Sequence, residues 1–323
     1  MTMRAPLAFV LACFAALALL PLLAGNYGVD LVTKIMVYAI FALSLELLVG
    51  ATGLVCFGQA AFFGIGAYAA VLLSPASEAA GLAWLLPVSI VAAALYALAV
   101  GALSLRTKGV YFIMVTLAFA QMVFYLVFDN KALGGSDGLY INFRPDAGVF
   151  DLENKRVFYY FTLVCMLGVF VFLRRLLWSP FGRALAGIRV NEHRMRAVGY
   201  GSFGYKLAAF TLAGALAGLA GYLWGAQSGF VNPELMGFHQ SAHVIMMVIL
   251  GGMGNFAGAI VGAFAFEIML DVFKDLPAIG GFETGKHWQL WMGLFIVAVI
   301  CFAPRGLLGL AQRLGARPGA PDA

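Results

Sequence analysis

Long apolar segments recur along the whole chain, with only short polar segments between them. A transmembrane helix needs about 20 apolar residues, and somewhat fewer where it is tilted or buried in protein. Ten segments meet this requirement, at 6–24, 30–50, 58–73, 83–104, 109–128, 157–173, 205–225, 240–252, 257–272 and 288–303. Hydrophobic residues make up 63% of the 323 residues and charged residues 11%, against about half and a quarter in soluble domains. The sequence therefore predicts an all-α polytopic membrane protein with about ten transmembrane helices, forming one domain over 1–323.

The first apolar segment begins MTMRAPLAFV, a basic start followed by an apolar core. A signal peptide has the same features. Because nine further apolar segments follow it, we interpret 6–24 as a retained transmembrane helix.

Basic residues mark one side of the membrane. They are concentrated at Arg4, at Arg106 with Lys108, in the segment 174–196, and at Arg305, Arg313 and Arg317. The segment 129–156, in contrast, holds four bases and five acids. Basic segments stay on the cytoplasmic side, so ten crossings with both termini cytoplasmic place every basic segment on that side. We therefore predict an external loop at 129–156, a cytoplasmic loop at 179–204 and a basic cytoplasmic tail at 304–323.

The segment 179–204 is the most strongly basic interruption of the apolar pattern, and it has a helical periodicity of its own. At about 100° per residue, four apolar side chains form one narrow stripe: Phe181, Leu185, Ile188 and Met195. Arg183 and Arg194 lie opposite this stripe, and Glu192 lies within it. Such a helix can dock in the groove of a cytoplasmic partner, with the carboxylate pairing with a partner's base. It can equally lie in the lipid headgroup region, and the pattern alone leaves both interpretations open.

Two glycine-rich segments interrupt the helical pattern, GATGLVCFGQAAFFGIG at 50–66 and GGMGNFAGAIVG at 251–262. Non-helical backbone is tolerated in a bilayer only where it is buried in protein or lines a cavity, so we predict a discontinuous helix at each segment. If they fall in the third and eighth spans, they run in opposite directions, as an inverted five-plus-five repeat requires. The alternative is close helix packing through small residues, as in the pattern Gly214-xxx-Gly218.

Three ionisable residues lie within the predicted spans: Lys34, Glu46 and Glu267. A charge in lipid is costly, so each is expected to face the bundle interior or a span end, beside a polar pathway or in a buried ion pair. Lys34 is near enough to a span end to reach the membrane surface. This leaves Glu46 as the strongest candidate for a polar pathway.

Several apparent motifs do not support a catalytic function. The segment 280–287, GGFETGKH, matches the first part of a phosphate-binding loop, but histidine replaces the Ser or Thr that would ligate Mg²⁺ and no strand precedes it. The chain is therefore not expected to hydrolyse ATP by itself. His239 and His243 have no evident third metal ligand, and the four cysteines lack paired spacing. The net charge of +5 is concentrated in predicted cytoplasmic segments, so it indicates topology rather than a nucleic-acid surface.

Five blocks of sequence, in this order, carry a family resemblance: GLVCFGQAAFFGIGAYAA (53–70), GVYFIMVTLAFAQM (109–122), LGGSDGL (133–139), SPFGRALAGIRVNEHRMRAVGY (179–200) and APRGL (303–307). Through them nearly the whole chain resembles the integral-membrane permeases of ABC importers for branched-chain amino acids, and in particular the LivM-like member of the permease pair. In that family the block at 179–200 fits the cleft of an ATPase subunit. Gly182, Arg183, Glu192 and Gly199 match it, which favours the docking interpretation.

The resemblance also implies partners. These are a second homologous permease subunit, two cytoplasmic ATP-binding subunits that hold ATP and Mg²⁺, and a periplasmic substrate-binding protein. The location implied is the lipid of the bacterial inner membrane, with no nucleic acid and no cofactor bound by this chain. The chain itself would be a transport subunit and not an enzyme.

Two sets of site residues follow from the pattern and the resemblance together. The predicted ATPase-coupling set is Phe181, Gly182, Arg183, Leu185, Ile188, Glu192, Met195 and Gly199. The predicted translocation-pathway set is Glu46, Gly53, Gly58, Gln59, Phe62, Gly64, Gly251, Gly252, Gly254 and Asn255.

The chain departs from the family pattern at three places. Glu46 stands where the family usually has Asn, Cys56 stands where Ser is common, and Met195 with Arg196 stands where small residues are usual. The first two border the suspected pathway and leave the substrate open, because members of the family also carry urea, amides and aromatic acids. The expected function is import of branched-chain or related small amino acids by alternating access. The alternative is a secondary transporter of a small polar solute, coupled to ions through Glu46 or Glu267.

Overall fold

The computed structural model describes residues 14, 16–21, 25–74, 81–140, 154–275, 284–303 and 306–309. Besides helical residues at 16–21 and 306–309, these residues form α1 (Asn26–Glu46), α2 (Gln59–Leu72), α3 (Leu82–Ser104), α4 (Val110–Phe128), α5 (Lys155–Trp178), α6 (Pro180–Val190), α7 (Glu192–Ala197), α8 (Ser202–Ser228), α9 (Phe238–Gly251), α10 (Phe256–Lys274) and α11 (Trp288–Phe302). A π-helix, Leu47–Thr52, continues α1 directly. Two short strands, β1 (Leu139–Tyr140) and β2 (Phe230–Val231), pair antiparallel. The protein is the all-α bundle that the apolar segments predict.

Seven helices in the described part of the chain are long and apolar enough to cross a membrane: α1 with its π-helical extension, α3, α4, α5, α8, α10 and α11. The apolar helices α2 and α9 have 14 residues each. At 1.5 Å per residue they are about 21 Å long, shorter than the hydrocarbon core of about 30 Å. Nine of the ten predicted spans thus coincide with a helix to within five residues at each end. The tenth, 6–24, lies largely outside the described residues, as do much of the loop at 129–156 and most of the tail at 304–323.

Polar side chains begin four of the helices. Asn154 and Asn255 accept hydrogen bonds from first-turn N–H groups of α5 and α10, at 3.1 and 3.0 Å. Ser179 and Asn191 begin α6 and α7 in the same way, at 3.4 and 2.9 Å. These contacts satisfy N–H groups that have no partner within the helix, so each helix begins at a defined residue.

The core of the bundle is built around α1 and α8. The most apolar stretch of α1 is completely buried, and α8 lies against α2 and α3 through small residues. A Cβ at Gly221 would overlap the carbonyl oxygen of Phe63 on α2, and a Cβ at Gly218 would overlap Ala93 on α3. These glycines therefore permit a helix approach that larger residues would prevent.

The two ends of the bundle differ in their contacts. At one end, Lys155 at the start of α5 forms an ion pair with Asp30 near the start of α1. The side chain of Gln227, near the end of α8, donates a hydrogen bond to the Asp30 carbonyl at 2.8 Å. We call this the Asp30 end. At the other end, which we call the coupling end, α6 packs against the π-helix that ends α1.

Both glycine-rich segments contain the non-helical backbone that they predict. Residues 53–58 separate the π-helix from α2, and residues 252–255 separate α9 from α10. Other glycines of the two segments lie inside continuous helices. Gly66 in α2 packs against the backbone of α8, and Gly262 in α10 packs against that of α9. Helix discontinuity and close packing through small residues therefore each apply to part of these segments.

Candidate translocation and coupling sites

The first turns of the two half-length helices, α2 and α9, contact each other. The backbone N–H of Ala60 donates a hydrogen bond to Ser241 Oγ, 3.1 Å away. Phe57 and Phe238, at the helix starts, stack with ring centroids 5.6 Å apart. The backbone at 53–58 leads into α2 from the coupling end, whereas the backbone after Ser228 leads into α9 from the Asp30 end. The two half-length helices thus start next to each other after approaching from opposite ends of the bundle.

Gln59, the first residue of α2, is a buried polar group at this meeting point. Its Nε2 donates hydrogen bonds to Ser44 Oγ on α1 at 2.9 Å and to the Ala213 carbonyl on α8 at 3.2 Å. Its Oε1 has no hydrogen-bond partner among the described residues. Because the N–H groups at a helix start carry partial positive charge, two adjacent starts make this point polar within an apolar bundle. Transporters with broken helices place their solute sites at such points.

Glu46 lies at the end of α1 with only 1% of its surface exposed. The backbone N–H of Gly254 donates a hydrogen bond to its Oε1 at 2.6 Å. Gly252 and Gly254 have φ angles of 105° and 92°, which favour glycine. These angles turn the backbone of 252–255 so that its N–H groups can face an anion. Glu46 therefore holds the break between α9 and α10 against α1.

Arg189 on α6 reaches the same part of α1. Its guanidinium donates a hydrogen bond to the backbone carbonyl of Gly50 in the π-helix, and it interacts electrostatically with Glu46. The Arg189 stem passes next to Gly53, where a Cβ would lie 3.4 Å from Arg189 Cγ. Sequence reasoning missed Arg189 because its partner is a backbone carbonyl 139 residues away, which leaves no side-chain pattern to recognise.

The segment 179–204 forms two helices and not one amphipathic helix. Asn191 separates α6 from α7 and caps α7, whose first residue is Glu192. The side chain of Met195 packs against Gly187 of α6. Gly199, with φ of 97°, lies just beyond the end of α7. Glu192 therefore does not share one continuous helical stripe with the apolar side chains of α6, contrary to the prediction.

The apolar face of α6 is directed toward the bundle of this chain. Leu185 and Ile188 are 0% and 3% exposed. Phe181 stacks on Tyr205 of α8 with ring centroids 5.5 Å apart. Gly182 is buried as well, and it packs so closely that a Cβ there would overlap the backbone at the end of α5. We therefore correct the expectation for Leu185 and Ile188: they fix α6 to the bundle of this chain and are not presented to a partner. A partner contact of Phe181 and Met195 stays a prediction.

Glu192 also makes its contacts within the chain. Lys206 Nζ and the Ser202 hydroxyl, both at the start of α8, donate hydrogen bonds to its carboxylate at 2.6 and 2.9 Å, and Arg196 forms an ion pair with it. Burial alone would raise the pKa of Glu192. The hydrogen bonds from Lys206 and Ser202 and the charges of Lys206 and Arg196 outweigh burial and lower this pKa to about 2. Glu192 is therefore an ionised group that joins α7 to α8.

The outward surface of these two helices is basic and apolar. We define the exposed coupling surface as Arg183, Val190, Arg194 and Val198, all of which are exposed. Val190 and Val198 are 86% and 69% exposed, unusually high for valine beside buried helices. Of the predicted coupling residues, Arg183 belongs to this surface, and Gly199, which follows Val198, is exposed as well.

The remaining predicted pathway residues lie in close packing contacts. Phe62 packs edge-on against Phe210, with ring centroids 5.5 Å apart. The other contacts are those of Gly58 with the Thr116 carbonyl, Gly64 with Met236, Gly251 with Gly258, and Asn255 with the first turn of α10. Their role in a pathway stays a prediction, and the polar members Gln59 and Glu46 are the ones with unpaired oxygen atoms in the described part of the chain.

The two other ionisable residues inside the spans form an ion pair. Lys34 Nζ lies 2.9 Å from Glu267 Oε2, and Glu267 is 1% exposed. The prediction that charges within spans face the bundle interior or a span end, beside a polar pathway or in a buried ion pair, is confirmed for these two. The ring of His243 packs edge-on against Phe266 at 4.9 Å. No cluster of three potential metal ligands occurs in the described residues.

Long apolar helices, half-length helices that meet at their starts and polar groups at the meeting point together define a multi-pass membrane protein of the transporter class. The family model described as "Branched-chain amino acid transport system / permease component" matches residues 27–303. The chain therefore belongs to this family, and it is a permease subunit of the ABC importer class.

Individual relatives agree with this assignment. The chain is 31% identical to the "High-affinity branched-chain amino acid transport system permease protein LivM" of Escherichia coli (strain K12), over 94% of this chain and 75% of that protein. It is 26% identical to a probable branched-chain amino acid transport permease protein LivM of Methanocaldococcus jannaschii, over 69% and 68% of the two chains. It is 23% identical to the permease protein LivH of Escherichia coli (strain K12), over 84% and 91%. No solved structure matches the chain.

Proposed function

We propose that this chain is the permease subunit of an ATP-driven importer that carries branched-chain or related small amino acids across the bacterial inner membrane. The observation that carries the proposal is the 31% identity with LivM of Escherichia coli over 94% of the chain. The proposed assembly also contains a second homologous permease subunit, two cytoplasmic ATP-binding subunits and a periplasmic substrate-binding protein. The ATP-binding subunits hold ATP and Mg²⁺, and this chain performs no catalysis.

The exposed coupling surface is the proposed contact with an ATP-binding subunit. Its arginines and valines are complementary to a cleft with apolar walls and acidic side chains. The apolar face behind it is occupied by the bundle of this chain, because Leu185 and Ile188 are buried. A partner that pushes on this surface therefore moves α6 together with the bundle to which it is fixed.

Movement of α6 is proposed to reach both helix breaks through two contacts. Arg189 binds the carbonyl of Gly50, which lies three residues before Gly53 and the non-helical segment that leads into α2. Glu46, in the preceding turn, binds Gly254 in the break between α9 and α10. A displacement of α6 then alters the position of both half-length helices relative to α1. This is the proposed origin of alternating access.

The complete topology is proposed to contain ten transmembrane segments arranged as an inverted five-plus-five repeat, with both termini cytoplasmic. The proposal adds the apolar segment 6–24 to the nine described segments. It is supported by the opposite directions from which the chain enters α2 and α9, as expected for half-helices related by a two-fold axis in the membrane plane. It is also supported by the basic residues of the coupling end.

The test is uptake of radiolabelled L-leucine into cells that express the complete proposed assembly. One arm depletes ATP while ionophores and buffers clamp the proton and sodium gradients. The other arm collapses the gradients while ATP is maintained. We expect uptake to stop on ATP depletion and to survive gradient collapse. The opposite pattern would identify an ion-coupled secondary transporter, in which Glu46 or Glu267 would carry the coupling ion.

A further inference from the structure

A cavity of about 510 Å³ lies at the Asp30 end, between α1, α5, α8 and α10. Its size is within the range of small-molecule sites, roughly 300–1,000 Å³. Four of its lining residues are charged: Asp30, Lys34, Lys155 and Asp271. Neither the sequence patterns nor the coupling contacts described above use this cavity, so its charges require a separate explanation.

The four charged lining residues differ in their contacts. Asp30 is paired with Lys155, and Lys34 is paired with Glu267. Asp271, one turn from Glu267 on α10, forms no ion pair among the described residues. Its Oδ2 is buried and without a hydrogen-bond partner there, and so is Oε1 of Glu267. Lys34 and, from outside the cavity lining, Lys274 both act on the Glu267 carboxylate. The buried Oδ2 of Asp271 remains without a hydrogen-bond partner among the described residues.

An unpaired buried carboxylate oxygen is costly, and a ligand with a positive charge and several hydrogen-bond donors removes that cost. An ammonium group has these properties. The ammonium of Lys34, which is partly exposed, lines the same cavity and is a group that can bind a ligand carboxylate. Leu31 and Trp224 line the same cavity and supply apolar surface. The wall thus offers an acid, a base and an apolar region.

We propose that this cavity binds a zwitterionic α-amino acid with an apolar side chain. Its ammonium group would bind Asp271, its carboxylate would bind Lys34, and its side chain would lie against Leu31 and Trp224. The inference rests on the proposed transport function and assigns it an initial substrate site at the Asp30 end. The site is separate from the meeting point of α2 and α9.

The test uses the full-length permease in lipid nanodiscs, without binding protein, and measures equilibrium binding of radiolabelled L-leucine. Asp271→Asn keeps the size of the side chain but removes its charge. We expect it to weaken leucine binding by about tenfold or more, the loss typical of a charge-assisted contact. Asp275→Asn, at an exposed position just beyond α10 and outside the cavity lining, is the matched control and should leave binding unchanged.

Ligand analogues test the proposed polarity of the site. N-acetyl-L-leucine lacks the ammonium group and should fail to compete with leucine, whereas L-leucinamide keeps it and should compete weakly. Equal leucine affinity of Asp271→Asn and wild type, or full competition by N-acetyl-L-leucine, would overturn the inference. Displacement of leucine by sodium chloride but not by choline chloride would identify an inorganic cation site and overturn it as well.

ATP-dependent leucine uptake, measured in parallel, separates this inference from the proposed function. If uptake is present but the permease alone binds no leucine, only the cavity assignment fails. If ATP-dependent uptake itself is absent, the proposed function fails.

Discussion

Ala60 and Ser241 are 181 residues apart in the sequence, and the backbone N–H of Ala60 donates a hydrogen bond to Ser241 Oγ at 3.1 Å. The donor belongs to the first turn of α2, where N–H groups have no intrahelical acceptor. Ser241 lies in the first turn of α9. Ser241 of α9 thus supplies the acceptor that the first turn of α2 lacks, and this contact joins the starts of the two half-length helices.

Removal of this contact should destabilise the protein. Ser241→Ala leaves the Ala60 N–H buried without an acceptor, and we expect a loss of about 1–3 kcal/mol in the free energy of unfolding. Ser89→Ala is the matched control, since Ser89 Oγ is equally buried but has no hydrogen-bond partner in the described residues. It should be neutral or slightly stabilising. Thermal unfolding in detergent, followed by tryptophan fluorescence, measures both, and equal effects would contradict this assignment.

Substitutions of Glu46 should separate its hydrogen bond from its charge. Glu46→Gln keeps an oxygen that can accept from the Gly254 N–H, whereas Glu46→Leu leaves that N–H unpaired and Arg189 without its nearby carboxylate. We expect Glu46→Leu to abolish leucine uptake and Glu46→Gln to reduce it less. Normal uptake by Glu46→Leu, with wild-type amounts of protein in the membrane, would show that this contact is not needed for transport.

The contact between Glu192 and Lys206 can be tested by exchanging the two charges. Glu192→Lys alone places three bases together at the joint of α7 and α8 and should reduce co-purification of the ATP-binding subunits about tenfold or more. The double variant Glu192→Lys, Lys206→Glu restores an ion pair and should recover most of the loss. Failure of the exchange to restore assembly would indicate that Glu192 contacts the partner directly.

The stability that Glu192 contributes at the contact between α7 and α8 should also depend on pH. Glu192 has a pKa of about 2 in the folded protein, below its ordinary value of 4.5. A group whose pKa is lowered by folding stabilises the fold above its unfolded pKa and loses that contribution as pH falls toward the folded pKa. The stability difference between wild type and Glu192→Gln should therefore be constant above pH 5 and shrink from about pH 4.5 toward pH 2.

Topology can be measured with single cysteines in a variant without native cysteines. Ser136→Cys lies in the proposed external loop and Gly201→Cys lies just before α8 at the coupling end, both at exposed positions. An impermeant thiol reagent applied to intact cells should label the first and not the second. The reverse labelling would falsify the proposed orientation.

The helices were predictable from the sequence, and the direction of one helix face was not. Because lipid and protein interior are both apolar, each membrane span is visible in the sequence as an apolar segment. Nine of the predicted spans coincide with helices. The same logic failed at α6. An amphipathic stripe shows that Leu185 and Ile188 will be covered, but not whether the covering surface belongs to another subunit or to the same chain.

The site contacts were less predictable because they use backbone groups. Glu46 was identified by its charge in a span, and its pairing with the Gly254 N–H involves a backbone group that has no sequence signal. Arg189 was missed for the same reason. Lys34 and Glu267, in contrast, are side chains whose cost in lipid is visible in the sequence. An ion pair was one of the arrangements expected for such residues, but the sequence did not indicate that these two pair with each other.

The most direct test of the account is the ratio of leucine transported to ATP hydrolysed by the purified assembly in proteoliposomes. Arg189→Gln removes the contact between α6 and the π-helix at Gly50 but leaves the exposed coupling surface in place. Arg106→Gln removes an exposed arginine just beyond α3, at the same end of the bundle, and is the control. We expect Arg189→Gln to retain ATP hydrolysis stimulated by binding protein while the transport ratio falls about tenfold, with Arg106→Gln near wild type. An unchanged ratio in Arg189→Gln would contradict the claim that this arginine carries movement from α6 to the helix breaks.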